Sequence, residues 1–341
     1  MQVRLEDVAI HAGVSTKTVS NVVNKKPHVS EQTRARVQAS LDALGYRPNL
    51  PARQLKYGRT GFIGLALPTL DIPYFAELAT KISHLSKKSG LITLLDITSS
   101  NHSQELEIIR GHSPRGIDGV IFSPLSLTCE EIMSSFNGTP IVLLGERTAP
   151  KGFDHVAVDS VSAAQGITEH LISLNRSKIA AIGSVPADGT ASLRLTGYQK
   201  ALSLHEIPVA EELIIDVPEY DYSSGYKAMK KLLRLSRKPD AVFCFNDAMA
   251  LGAIRACLEQ FIRIPEDIAI AGFDDICAAS YCFPSLTTVS PDMDFLVATA
   301  VDLLIHRMDA QAEGREILPT HVTVPWALKI RESTNGCSPS A

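Results

Sequence analysis

The chain lacks the residue groupings on which metal binding and catalysis are usually built. Its six cysteines, Cys129, Cys244, Cys257, Cys277, Cys282 and Cys337, are scattered, with no C-x-x-C spacing and no neighbouring histidine pair. That pattern speaks against a zinc knuckle or a disulfide framework and suits a reducing compartment. Cys244 sits in a strand-like apolar run, where a thiol behaves as a small hydrophobe. The ten histidines are dispersed, none at metal-ligand spacing. There is no G-x-x-x-x-G-K-[ST] phosphate loop, no G-x-G-x-x-G after the first strand and no G-x-S-x-G elbow. Asp274 and Asp275 are adjacent, so on a strand they would point to opposite faces and could not share a proton. No enzymatic activity, metal or cofactor is expected. No apolar run approaches the ~20 residues that a spanning helix needs, and the N-terminus has no signal core. A cytoplasmic protein without membrane contact is expected.

What is present is an ordinary globular composition with an uneven charge. The 341 residues allow two or three domains, with 45% hydrophobic and 21% charged residues. The net charge of −4 hides a split: residues 1–60 carry ten Lys/Arg against four Asp/Glu, and the remainder 23 against 33. A basic module on an acidic body points to a polyanion at the N-terminal end only. Leu5–Asn24 coincides with that module. Leu5, Val8, Ala9 and Ala12 recur at helical spacing, Gly13 suits a positive φ at a helix stop, and Ser15 suits an N-cap. In the second helix Val19, Val22 and Val23 face one way, while Thr16, Lys17, Ser20, Asn21 and Asn24 share the other side. A short helix offering hydroxyls, amides and one cation suits the major groove. An ordinary amphipathic helix pair would account for the periodicity but not for the charge.

A third helix is expected over Glu31–Leu44, capped by Ser30 and ended by Gly45, with Val37, Leu41 and Leu44 closing a three-helix core against Val8 and Val19. Asn24, Lys25, Lys26 and His28 form a polar loop suited to phosphate oxygens. Tyr46–Lys56 is basic, holds two prolines and has too little apolar surface to fold alone. Leu55, one of its two leucines, has the character of a wedge between base steps in a minor groove.

On these residues the chain resembles a known family. LEDVAIHAGVSTKTVSNVVN, HVSEQTRARVQASLDALGYRPN and a hinge ending A-R-Q-L are similar to the lactose-repressor (LacI/GalR) family of bacterial transcription regulators, and the likeness extends over nearly the whole chain. From Gly61 onward the pattern is β/α alternation. Strands are expected at Phe62–Leu67, Leu91–Ile97, Gly119–Phe122, Ile141–Leu144 and His155–Val158, then at Ile179–Ile182, Leu213–Val217, Ala241–Phe245 and Ile268–Gly272, with helices between most of them. Apolar β-rich runs between amphipathic segments argue for parallel sheets covered on both faces, and ligands of such sheets bind beyond the strands' carboxyl ends. The expected fold is therefore α/β. The resemblance implies a three-helix helix-turn-helix head (1–46), a hinge (47–59) and a two-lobed periplasmic-binding-protein-like body (60–341). Its first lobe would take about 60–160 and 290–318, and its second about 161–289 and 319–334.

Polar residues that follow strands are candidate ligand contacts: Asp71, Glu146 with Arg147, Asn246 with Asp247, and Asp274 with Asp275. The resemblance singles out Arg194 in R-x-x-G-Y, Asn246 in F-N-D, Asp274 in G-F-D-D and Arg147, and places Tyr220 and Met293 as apolar or aromatic walls. Asp247 and Asp275 could equally cap helices, and Glu146 could form a salt bridge. Carboxylate, amide and guanidinium groups around an aromatic wall suit a sugar or sugar derivative. The family further implies a homodimeric repressor of sugar-utilisation genes that binds a pseudo-palindromic double-stranded operator. The helices at Ala248–Phe261 and Tyr74–Lys88 are the candidate dimer surfaces. No leucine heptad follows the body, so a coiled-coil tetramer is not expected.

In this reading Thr16, Lys17, Asn21 and Leu55 read bases, and Ser15, Ser20, Asn24 and Arg34 touch phosphate. Lys17→Ala should cost about 1–3 kcal/mol in operator binding and relax one base position, measured on a library of operator variants. A uniform loss on all sequences would assign Lys17 to the phosphate backbone instead.

Overall fold

The computed structural model describes residues 3–23, 28–46, 59–111, 116–146, 150–184 and 189–335. They divide into two compact units, with the boundary between Thr60 and Gly61.

The N-terminal unit is three helices: α1 (Leu5–Ala12), α2 (Thr16–Val23) and α3 (Glu31–Ala43). Gly13 ends α1 at φ 62°, a left-handed position that glycine takes without a Cβ penalty. Ser15 caps α2 by accepting from the Thr18 amide at 3.1 Å. Ser30 caps α3 more loosely, accepting from Thr33 N at 3.4 Å. Val8, Ala9, Ala12, Val19, Val22, Val37 and Leu41 form the buried core. Residues 47–58 of the expected hinge, Leu55 included, and the tail beyond Asn335 lie outside the described residues.

In the C-terminal unit the alternation is resolved as β1 (Phe62–Leu67), α4 (Pro73–Lys88), β2 (Ile92–Ile97), α5 (His102–Ile109), β3 (Gly119–Phe122), α6 (Cys129–Ser135), β4 (Ile141–Leu144) and β5 (Asp154–Val158). A second round follows: α7 (Ser160–Ser173), β6 (Ile179–Ser184), α8 (Thr190–Leu204), β7 (Ile214–Asp216), α9 (Tyr222–Leu232), β8 (Ala241–Cys244), α10 (Asp247–Leu258), β9 (Ala269–Phe273), α11 (Cys277–Tyr281) and β10 (Thr287–Pro291). The chain closes with α12 (Met293–Ala312), β11 (His321–Val324), β12 (Trp326–Lys329) and α13 (Glu332–Asn335).

Two six-stranded sheets result, ordered β11-β5-β4-β3-β1-β2 and β12-β10-β9-β8-β6-β7. All pairings are parallel except β10 with β12, which is antiparallel. Each sheet anchors one lobe, and the chain passes between them after β5, after β10 and between β11 and β12. Asp159 and Asp292 cap the helices that follow the first two passages, accepting from Ser162 N and Phe295 N. The second and third passages are joined by Asp292 N donating to Pro325 O at 2.8 Å.

One boundary differs from expectation. The stretch beginning at residue 319 was assigned to the second lobe, yet β11 pairs in parallel with β5 of the first sheet, Val322 opposite Val156. Thr320 is drawn there by its N–H donating to Asp154 Oδ1, and the same carboxylate holds Arg307 of α12. The last passage therefore falls at Pro325.

In the second lobe α9 and α10 approach through glycines. A Cβ on Gly225 would lie 2.5 Å from Met249 Cα, and one on Gly252 would lie 2.8 Å from Tyr226 N. Both obstacles are backbone and cannot swing aside. Gly225→Ala and Gly252→Ala should each lower unfolding free energy by about 1–3 kcal/mol in urea titrations, the usual cost of overpacking. An unchanged midpoint would mean that the helix pair can slide apart freely.

Candidate functional site

In the N-terminal unit, α2 buries Val19 and Val22 and leaves Thr16 and Lys17 exposed, with Ser20 and Asn21 half-buried beside them. The three residues expected to read bases thus share one uncommitted face, as the helical period demands. Ser15 spends its hydroxyl on capping and on a 2.8 Å bond with the Thr18 hydroxyl. Arg34 is half-buried in the first turn of α3. Asn24 lies outside the described residues.

In the C-terminal unit the candidate ligand residues meet where strands of both sheets end. β4 runs into Gly145 at φ 107°, which turns the chain and delivers Glu146. β9 runs into Asp274 and Asp275, at φ 110° and 54°. These are left-handed conformations that non-glycine residues adopt at a cost, often at functional sites. α8 brings Arg194, 5% exposed, between the two strand ends. Its Nη2 donates to Glu146 Oε1 at 2.7 Å and lies 3.7 Å from Asp274 Oδ1. Its Nη1 donates to the Phe245 carbonyl, and its Cζ stands 3.5 Å from the centre of the Phe273 ring. A planar guanidinium can serve a carboxylate, a carbonyl and an aromatic face at once, which a lysine could not. The arrangement is incomplete: Arg194 Nε and Glu146 Oε2 are buried without partners among the described residues.

Two tyrosines flank the cluster. The Tyr220 hydroxyl donates to Gly183 O at 2.7 Å. The Tyr74 phenol is raised above its ordinary range by burial, and next by the nearby charges of Asp274 and Glu146. Tyr74, on the first lobe's α4, thus stands near the second lobe's Asp274 as well as Glu146 of its own lobe. Asp274 itself is pushed up to about 7, first by burial, with the Arg194 guanidinium opposing and Glu146 adding to the shift.

Several expected contacts are placed differently. Asn246 is 2% exposed, caps α10 by accepting from Met249 N, and donates to Tyr220 O at 2.9 Å. Its amide thereby ties the start of α10 to the Tyr220 main chain. Asp247 neither caps nor faces the cleft. Its carboxylate is fully buried, accepting from the Thr288 hydroxyl at 2.6 Å and from Ile276 N at 2.9 Å, and so fixes the loop after β9. Asp275 turns away from Asp274 to meet Arg331 at 2.6 Å and Ser290 at 2.8 Å. The two aspartates diverge as expected, but through left-handed backbone rather than strand alternation. Asp71 is exposed, with its amide on Thr69 Oγ1, and Met293 packs half-buried at the start of α12. Neither has a bond or ring contact to the Arg194 cluster among the described residues. Arg147 lies outside them. Tyr74 and Phe273 are not among the expected contacts, although Phe273 lies within G-F-D-D.

Comparison with known proteins places this geometry. Residues 4–49 match the family described as bacterial regulatory proteins, lacI family, and residues 168–334 match a periplasmic binding protein-like domain. The HTH-type transcriptional repressor PurR of Photorhabdus laumondii is 33% identical over 325 residues, which cover 93% of this chain and 94% of that protein. The chain belongs to the lacI family of bacterial regulatory proteins. Members of the family are DNA-binding transcriptional regulators, not enzymes. Among solved structures, the lac repressor dimer bound to operator and the anti-inducer ONPF superposes on this lacI-family chain with a TM-score of 0.82 at 27% identity, covering 98% of this chain and 99% of that one. A complex of the regulator CelR with cellobiose gives 0.71 at 27% identity, covering 97% and 100%. No helix among the described residues is long and apolar enough to cross a membrane.

The raised Asp274 carboxyl has a stability consequence. Between 3.8 and about 7 the folded chain holds a proton that the unfolded chain releases. Stability therefore falls as pH rises through that window. The melting temperature of Asp274→Asn should decline less steeply than wild type over it. Parallel slopes would place the titrating group elsewhere.

Proposed function

We propose that this chain is a ligand-responsive repressor that binds a pseudo-palindromic operator as a homodimer and is switched by a small uncharged, sugar-like effector in the cleft between its lobes. The observation that carries the reading is the buried Arg194–Glu146 pair, which ties the end of a first-sheet strand to a second-lobe helix. A ligand that enters must take over these partners, and so acts directly on the angle between lobes. Removing one member of a buried pair leaves the other uncompensated, so the exchange is all or nothing: the ligand supplies the missing acceptors and donors or does not bind. Glu146 and Asp274 offer acceptors, Arg194 offers donors, and Tyr74, Tyr220 and Phe273 offer aromatic faces. Hydroxyls on a ring with apolar faces satisfy all three, whereas an anion would meet two carboxylates around one guanidinium. The cellobiose complex of CelR supports the same ligand class.

At the other end Thr16, Lys17 and Asn21 read bases, Ser15, Ser20, Asn24 and Arg34 hold phosphate, and Leu55 enters the minor groove. The dimer reading draws on the operator-bound lac repressor dimer and on exposed apolar residues, Leu258 at the end of α10 with Phe261 beyond it, and Tyr281 at the end of α11 with Phe283 beyond it. A protein with this role works in the cytoplasm, where the DNA is.

Full-length protein should enrich, from sheared genomic DNA, fragments that share one two-fold-symmetric motif, read by sequencing. Enrichment without a symmetric motif, or none at all, sinks the proposal. With that motif as probe, Arg194→Ala should keep its DNA affinity but lose the response to whichever sugar in a panel shifts wild type, measured by fluorescence anisotropy. A variant that still responds normally removes Arg194 from the effector site.

A further inference from the structure

A chamber of about 310 Å3 opens beside the Arg194 cluster, near the small end of the range for ligand pockets. Leu127, Ile132 and Leu143 of the first lobe line it with apolar surface, and Gly189 and Ser192 at the start of α8 border it from the second lobe. Glu146 lines it too, and so belongs both to the chamber and to the Arg194 pair.

Glu146 has an unspent half. Oε1 accepts from Arg194, while Oε2 is buried with no partner among the described residues, on a side chain only 9% exposed. A buried carboxylate oxygen without a donor costs free energy until something donates to it. Across the chamber, α8 begins at Gly189, which has no side chain to cap the first-turn amides. His155, also in the lining, donates through Nε2 to Gly145 O at 2.7 Å, and its burial lowers its pKa, so it adds no positive charge.

We propose that this chamber is a second ligand subsite that accepts an uncharged, hydroxyl-bearing ring, with the hydroxyl donating to Glu146 Oε2 and accepting from the start of α8. The proposal rests on reading the cleft as the effector site. The chemistry is set by elimination. An anion would face Glu146 with no cationic side chain among the described lining residues. An ammonium would be desolvated against a carboxylate already paired with Arg194, leaving little attraction to offset the loss of water. A hydroxyl donates and accepts at once and carries no charge.

Cys129, half-buried in the chamber lining, reports occupancy without any knowledge of the natural effector. Its alkylation by iodoacetamide in the full-length protein is followed by peptide mass spectrometry, with exposed Cys277 as internal reference. The probes are cyclohexanol, cyclohexylamine and cyclohexanecarboxylate, one ring with three head groups. Cyclohexanol should slow Cys129 alkylation, leave Cys277 unchanged, and protect at concentrations about tenfold lower than either charged analogue, the effect of one well-made buried hydrogen bond. Ser192→Phe, made at an exposed position on the chamber's border, should abolish that protection while leaving the melting temperature unchanged. Equal protection by all three probes, protection that survives Ser192→Phe, or no protection by any probe overturns the proposal. The readout involves no DNA. A chain that bound no operator would sink the repressor reading and leave this result standing, and operator binding without protection would sink the chamber alone.

Discussion

The Arg194 guanidinium is the point on which the body of this protein turns. Four groups from three stretches of chain converge on it: the Glu146 carboxylate, the Phe245 carbonyl, and the adjacent Phe273 ring and Asp274 carboxylate. Each is delivered by the carboxyl end of a β-strand, so the cluster exists only when both sheets are built and brought together. Burying such a charge is expensive, and the expense is offset only while every partner is in place. Loss of any one partner would leave the others around an uncompensated buried charge, so the cluster holds or yields as a unit.

Around that centre, buried polar groups hold the loops in shape. Glu105 is wholly buried, and its carboxylate accepts from the amides of Leu125, Ser126 and Leu127 and from the Ser126 hydroxyl. It shapes the loop that leads into α6. Asp247 does the same for the loop after β9. Neither needs to touch a ligand to matter, because each sets the backbone from which the contacting side chains hang.

These roles mark the limit of what was legible from residues alone. The β/α alternation and the helix-turn-helix follow from period and capping chemistry, which are local signals, whereas Arg194 and Asp274 stand out only through resemblance to a family, and their proximity is not legible at all. Asn246 and Asp247 look alike in a sequence, two polar groups after a strand. What separates them from Asp274 is the partner that folding brings, Tyr220 and Met249 for one and Thr288 and Ile276 for the other. β10 was missed because Thr287–Pro291 is poor in large apolar residues. Its two threonines are fully buried through side-chain bonds to Ser333, Thr334 and Asp247, partners far away in the chain. β12 was missed because a four-residue edge strand with every second residue exposed carries too little pattern to read. Tyr74 is not legible because Asp274, Glu146 and Arg194 come to it from distant stretches of chain, two of them in the other lobe.

The placement of β11 bears on how the protein comes to exist. The first lobe's sheet is closed at one edge by residues 321–324, paired with a strand made some 160 residues earlier. During synthesis β5 therefore waits with its outer edge bare while the whole of the second lobe emerges. The first lobe is finished only when the chain is nearly complete. A truncated product, or a ribosome stalled late in the message, would present an unpaired strand edge at residues 154–158, the kind of surface that chaperones and aggregation compete for.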